Sequence, residues 1–159
     1  MRDIIIGSDN AGVALKKIIV EYLNSKNISV TDVGVAAEQD ETYYPYIAKR
    51  VCEAVIKSGY QKRGILICGT GIGMCMTANE FRGIRAAVCH DIYSARRSIL
   101  SNDGNVLCIG ARVVGTELAK TIAEEWIGLE FVDGPSTPKV KAIIEIEQEN
   151  FLVGGIDEK

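Results

Sequence analysis

The sequence predicts an α/β fold, a three-layer α/β/α sandwich around a five-stranded parallel, Rossmann-like sheet with flavodoxin-like strand order, plus a C-terminal helix. Three observations predict it. Short β-type apolar runs alternate five times with segments of helical periodicity along 159 residues, the pattern of an open parallel sheet covered on both faces. Each run stops at polar residues or glycine, as strands do where they meet a loop. No internal repeat, low-complexity segment or long linker interrupts the alternation, and the length suits one domain with a real core. The expected domain is 1–153, with 154–159 as a loose tail.

Ile4 to Ser8 reads as a buried strand, followed by Ala11, Leu15, Ile18, Ile19 and Tyr22 at helical spacing. Ser29 to Val33 is a second short strand that Gly34 ends. A polar stretch leads to Tyr44, and Pro45 opens a helix, since proline is tolerated in a first turn. Ile47, Val51, Ala54 and Val55 line its inner face. Ile65 to Cys68 is the third strand, with a glycine turn and a helix to about Asn79. Ala86 to Cys89 is the fourth strand and Ser94 to Leu100 a helix. Val106 to Ile109 is the fifth strand. Glu117 to Trp126 is a helix with Leu118, Ile122 and Trp126 on one side. The glycine- and proline-rich turn at 133–138 breaks the chain before a last helix from about Lys139 to Phe151.

Composition bounds the function. A hydrophobic share of 47%, a charged share of 25% and a net charge of −3 are ordinary for a globular protein. Basic residues are scattered, which argues against a nucleic-acid surface. The expected partner is a small molecule, and an anionic one needs a local basic pocket. The N-terminal apolar run is too short for a signal peptide, and no stretch approaches membrane-spanning length, so the cytoplasm is the expected location. Five cysteines stand at 52, 68, 75, 89 and 108. The count is odd and CxxC spacing is absent, so most read as buried reduced thiols. One histidine and no ligand spacing argue against a metal.

The most informative stretch is Ile65-Leu66-Ile67-Cys68-Gly69-Thr70-Gly71-Ile72-Gly73. A strand ends at a thiol, alternate glycines follow, and a helix begins. That order sets the sulfur against free backbone N–H groups, which attract anions and favour thiolate. A base beside an oxyanion site suits chemistry that passes through an enediolate. In open α/β sheets ligands bind beyond the carboxyl ends of the strands. The strands deliver Ser8-Asp9-Asn10, Cys68-Gly69-Thr70, Cys89-His90-Asp91 and Gly110-Ala111-Arg112 there. Each has a plainer alternative. Asp9 can cap the next helix, His90 can be a packed core group, Arg112 can be a surface ion pair and Thr70 a small turn residue. The glycines also admit a dinucleotide site with Asp91 on a ribose. Against that, the pattern is GxGxG rather than GxGxxG and follows the third strand rather than the first.

The chain to about Phe151 resembles the ribose-5-phosphate isomerase B family, which includes the galactose-6-phosphate isomerase subunits. The stretches that carry the resemblance are GSDNAG at 7–12, YYPYIAKRV at 43–51, GILICGTGIGMC at 64–75, GIRAAVCHDIYSAR at 83–96, SNDGNV at 101–106 and GARVVGTELA at 110–119. The resemblance implies a cofactor-free aldose–ketose isomerase of a phosphorylated sugar. It implies that Cys68 moves a proton between C1 and C2, and that the turn of Gly69, Gly71, Ile72 and Gly73 holds the enediolate oxygens. It places Asp9 and Asn102 on substrate hydroxyls and Arg112 in the phosphate region, and Asn10 and Tyr44 are further candidates for substrate contact. It also implies homodimers or homotetramers with active sites shared between chains.

Three departures bear on the substrate. The family usually carries histidine where this chain has Asn10, and a second, ring-opening histidine where it has Ser101. Its C-terminal turn usually supplies phosphate-binding arginines, and here those positions are Pro135 and Lys139, which leaves Lys139 and Arg112 as the phosphate candidates. A pentose 5-phosphate closes a ring through its 4-hydroxyl. A tetrose 4-phosphate has that oxygen esterified, and its isomerase needs no ring opener. The chain also looks like the erythrulose-phosphate isomerases of this superfamily. Tetrulose 4-phosphate and ribulose or ribose 5-phosphate both stay open as substrates, the latter with His90 or Thr70 opening the ring. A binding module without turnover remains an alternative to the enzyme.

Overall fold

The computed structural model describes residues 2–153; the expected tail at 154–159 lies outside the described residues. Five strands, β1 (Ile4–Ser8), β2 (Val30–Asp32), β3 (Arg63–Cys68), β4 (Ala86–Val88) and β5 (Val106–Gly110), alternate with α1 (Val13–Ser25), α2 (Tyr44–Lys57), α3 (Ile72–Ala78), α4 (Ile92–Leu100) and α5 (Thr116–Ile127), and α6 (Thr137–Val153) follows. All four pairings are parallel, as the alternation predicts. Among the described residues no helix is long and apolar enough to cross a membrane.

The sheet order is β2-β1-β3-β5-β4. Its first three positions are those of the flavodoxin-like order, but the last two strands exchange places, which corrects that part of the expectation. The physical reason lies in burial. Every residue of β5 is buried, so it needs a neighbour on each side. β4 is three half-buried residues, Ala-Ala-Val, short enough for an edge.

The period of two sorts the core. Ile4, Ile6, Ile65, Ile67, Leu107 and Ile109 meet α1, α4 and α5 around Trp126. Ile5, Leu66, Cys68, Val106 and Cys108 turn to the other face, where α2 and α3 bring Ile47, Val51, Cys52 and Met74. Helix boundaries follow local chemistry. α2 begins at Tyr44 with proline in its first turn. α4 begins at Ile92, two residues before the expected start, because Asp91 accepts the Ser94 N–H at 2.7 Å and caps it. Leu118 does not share the inner side of α5 and is 39% exposed.

Two buried cations position the loops. Lys16 falls on the inward stripe of α1, and its Nζ donates to Asp32 at 3.0 Å and to the Val35 carbonyl at 2.5 Å. The strap after β2 is thereby drawn over the end of β1, where the Val35 N–H donates to the Ser8 carbonyl at 3.0 Å. Gly34 has no room for a side chain there, since a Cβ would lie 2.4 Å from the Ser8 nitrogen. Arg63, at the opposite end of the sheet, donates to the Leu129 carbonyl at 2.6 Å and to Glu130 at 3.2 Å.

Candidate active site

The carboxyl edge gathers most of the residues expected there. Cys68 ends β3 with its side chain toward α2 and α3, and it is 5% exposed. The Gly71 N–H donates to its Sγ at 3.1 Å. That contact needs the turn to curl back, and Gly71 does so with φ +77°. A Cβ at Gly71 would stand 2.9 Å from the Ile109 carbonyl carbon, so glycine is required twice over. The Ile72 N–H turns to Thr70 Oγ1 at 3.3 Å. Two amides of the turn are therefore engaged within it. Gly73 and Met74, in the first turn of α3, have no intrahelical acceptor by helix geometry.

Charge is arranged beside the sulfur. The Ala111 N–H donates to the Cys68 carbonyl at 2.8 Å and the Arg112 N–H to the Gly69 carbonyl at 3.0 Å. This lays the Arg112 guanidinium over Gly69, with Nη1 3.1 Å from the point a Cβ would occupy. Asp9 enters from the end of β1. Its Oδ1 is buried with no hydrogen-bond partner. Burial pushes its carboxyl above the ordinary value, against the pull of the Gly12 and Ala11 amides and of Arg112. The side chain forms no capping hydrogen bond, so the plainer role of a helix cap is not what the structure displays. Asn10 is exposed next to it, in the short turn Asn10–Gly12.

Tyr44 comes from the start of α2, and its ring covers Gly73. A Cβ at Gly73 would lie 2.5 Å from the ring. His90 follows β4, and its Nε2 accepts the Gly110 N–H at 2.9 Å. That bond leaves the ring hydrogen on Nδ1. The space a pyrophosphate would need over Gly73 is occupied by Tyr44, and Asp91 is engaged as the α4 cap; neither favours the dinucleotide alternative.

Three expected residues lie elsewhere. Ser101 ends α4 and accepts from Arg97. Asn102 is exposed on the lip of a groove of about 1020 Å³ that Asn79, Arg85, Gly104 and Glu147 also line. Both residues precede β5, whereas Cys68 is paired with Gly110 at its far end. A strand's length, roughly 15 Å, separates them within one chain. Lys139 is exposed in the first turn of α6, the helix that borders the groove. Sequence reasoning passed over Lys16. Its signal was available, a lysine one residue from Leu15 on the inward stripe of α1 with Asp32 at the next strand end.

A thiol that accepts a main-chain N–H, an arginine and a partly buried carboxylate thus gather at the carboxyl edge of a parallel α/β sheet, and among the described residues no group of three or more His, Cys, Asp or Glu could hold a metal ion. Comparison with known proteins gives the family. A model of the ribose/galactose isomerase family matches residues 4–143, and the chain belongs to that family. The D-erythrulose-4-phosphate isomerase of Pectobacterium atrosepticum is 49% identical over 143 residues, spanning 90% of this chain and 93% of the relative. The ribose-5-phosphate isomerase B of Escherichia coli is 45% identical over 148 residues, spanning 93% and 98%. The solved structure of ribose-5-phosphate isomerase B from Clostridium thermocellum has a TM-score of 0.88 at 44% identity, covering 93% of this chain and 99% of that one.

Proposed function

We propose that this chain is a cofactor-independent aldose–ketose isomerase of a phosphorylated sugar, in which Cys68 transfers a proton between C1 and C2 through a cis-enediolate. Its family membership supports the class of reaction. The observation that carries the mechanism is the Gly71 N–H on Cys68 Sγ at 3.1 Å, at the carboxyl end of a central strand. Negative charge placed on that sulfur has a donor, and charge passed to the substrate oxygens has the first-turn amides of α3. Preorganised donors of this kind stabilise a developing oxyanion by about 3 kcal/mol each. Arg112 over Gly69 supplies positive charge for the phosphate region, and Asp9 accepts from substrate hydroxyls.

Residues 1–153 act as one domain in this proposal, but the site is completed by a second copy. Ser101 and Asn102 sit at the amino edge, too far from Cys68 of the same chain. Their partner is the Cys68 edge of another chain in a homodimer or homotetramer, and Lys139 joins Arg112 on the phosphate in that arrangement.

The substrate favoured is a tetrulose 4-phosphate. Serine at 101 cannot do the acid–base work of a ring-opening histidine, and its hydroxyl is already taken by Arg97. His90 is likewise engaged at Nε2. A substrate without a furanose form needs neither. A panel of erythrose, erythrulose, ribose, ribulose and allose phosphates, assayed with this protein and Cys68→Ala, tests the proposal. Turnover of tetrose phosphates that Cys68→Ala abolishes is expected. Preference for pentose phosphates rejects the substrate assignment alone. Binding without turnover across the panel rejects the enzyme in favour of a binding module.

A further inference from the structure

A single imidazole stands behind the glycine turn. His90 is the one histidine of the chain. It follows β4 at the edge of the sheet and is half-buried. Its backbone is fixed on both sides. The Cys89 N–H donates to the Cys108 carbonyl at 3.1 Å, and the Asp91 carboxylate accepts the Ser94 N–H at 2.7 Å. The paired residues of β4 end at Val88, opposite Cys108, while β5 runs on to Gly110. Gly110 therefore lies beyond the reach of the edge strand, and it is buried. A buried N–H left without an acceptor is costly. Here a side chain takes the place of the missing strand, since His90 Nε2 accepts the Gly110 N–H at 2.9 Å.

The Ile109–Gly110 peptide held in this way is the floor of the glycine turn. A Cβ on Gly71 would stand 2.9 Å from the Ile109 carbonyl carbon and 3.1 Å from the Gly110 nitrogen. A Cβ on Gly110 would stand 2.7 Å from the Thr70 carbonyl carbon. Two stretches of backbone thus pack directly on each other with no side chain between them. Gly71 is also the residue whose N–H meets Cys68 Sγ at 3.1 Å. The residues after Gly110 grip the same turn, with the Ala111 N–H on the Cys68 carbonyl at 2.8 Å and the Arg112 N–H on the Gly69 carbonyl at 3.0 Å.

We propose that His90 is a positioning residue, whose imidazole holds the Ile109–Gly110 peptide as the floor from which the glycine turn presents the Gly71 N–H to Cys68. It works as a hydrogen-bond acceptor and exchanges no proton with substrate. Its effect on turnover rests on the isomerase reading, whereas its effect on the Gly71 N–H does not. The acceptor role sets which replacements serve. Glutamine carries Oε1 as many bonds from Cβ as histidine carries Nε2, and it accepts. Leucine has similar bulk and no acceptor. Asparagine has an acceptor one bond short of the Gly110 N–H.

The test reads amides and turnover on the same proteins. In ¹⁵N-labelled full chain, the single imidazole is expected to carry its hydrogen on Nδ1, and the Gly110 amide to exchange slowly. The Gly71 amide shift in Cys68→Ala marks loss of the sulfur contact. In His90→Leu the Gly110 amide should exchange fast and the Gly71 signal should move toward that mark. In His90→Gln both should return to their wild-type state. On the sugar phosphate that wild type turns over, kcat is expected to fall by about tenfold to a hundredfold in His90→Leu with KM nearly unchanged, and to return to within a few-fold of wild type in His90→Gln. His90→Asn replaces the leucine variant if that one does not fold. The proposal is overturned if the imidazole hydrogen sits on Nε2, or if the Gly71 signal stays in place in His90→Leu. It is also overturned if His90→Gln restores both amides and not kcat, because His90 then acts on substrate as an acid or base. Absence of turnover in wild type rejects the isomerase reading alone, and the Gly71 signal still decides what His90 holds.

Discussion

At the residue scale, the candidate site sets stability against function at Asp9. The group is an acid whose folded value lies above its ordinary 3.8 because burial penalises its charge. The sign follows from linkage. Its contribution to stability is full below pH 3.8 and is lost as pH rises through the raised folded value. Rising pH therefore asks the folded state to hold a charged, partly desolvated carboxylate with one unpartnered oxygen. Asp9→Asn is expected to raise the thermal midpoint at pH 7, to leave it nearly unchanged below pH 3.8, and to lower kcat/KM. A pH series of melting curves for both proteins checks it, and a lower midpoint for the variant at pH 7 refutes the argument. Cys68→Ser makes the complementary case. It nearly keeps the size of the side chain and leaves an acceptor for the Gly71 N–H while replacing the sulfur by oxygen. Turnover is expected to fall by about three orders of magnitude or more with little change in substrate binding, the pattern of an interaction made in the transition state. Steady-state kinetics with isothermal titration separates the two parameters.

At the element scale, the glycine turn and α3 are held by shapes that glycine alone permits. Gly73 lies under the Tyr44 ring. Gly73→Ala improves the intrinsic helix propensity of α3 by up to about 1 kcal/mol, yet its Cβ has to move the ring. Stability is expected to stay within about 1 kcal/mol while kcat/KM falls roughly tenfold to a hundredfold, and urea unfolding beside kinetics tests both halves. The same elements show what was legible in the sequence. Strand alternation was readable because β1, β3 and β5 are buried at every residue, and the thiol–glycine–helix order at 68–73 is enough to place Cys68 at a strand end. The exchange of β4 and β5 was not readable. Pairing among interior strands depends on which of them is covered on both sides, and Ala-Ala-Val gives no signal as strong as Val-Leu-Cys-Ile-Gly. The position of Ser101 and Asn102 was recoverable in principle, since residues that precede a parallel strand enter at its amino edge. Lys16 escaped because a lysine on an apolar stripe reads as a charge that snorkels outward, whereas here it reaches inward to Asp32 and Val35.

At the scale of the whole molecule, the residues proposed for one active site stand at opposite edges of one sheet. Cys68, Asp9 and Arg112 stand at the carboxyl edge, and Ser101 and Asn102 at the amino edge, beside a groove bordered by α6. Closed symmetric assembly is the ordinary way for two such edges to meet, since a two-fold axis that brings one pair together brings the other. The phosphate assignment follows the same geometry. Lys139→Ala is expected to raise KM with kcat nearly unchanged, because it removes binding common to ground and transition states; unchanged values of both would remove Lys139 from the site. The sharper test is complementation. Cys68→Ala and Asn102→Ala chains are each purified with little activity, then mixed, dissociated and reassembled. If each site takes Cys68 from one copy and Asn102 from the other, a hybrid dimer has one site with both defects and one with neither. Half of a random mixture is hybrid, so about a quarter of wild-type activity should return. If both residues served within one chain, every site in every hybrid would keep one defect and no activity would return. Recovery that tracks the hybrid fraction across mixing ratios ties the two edges into one site.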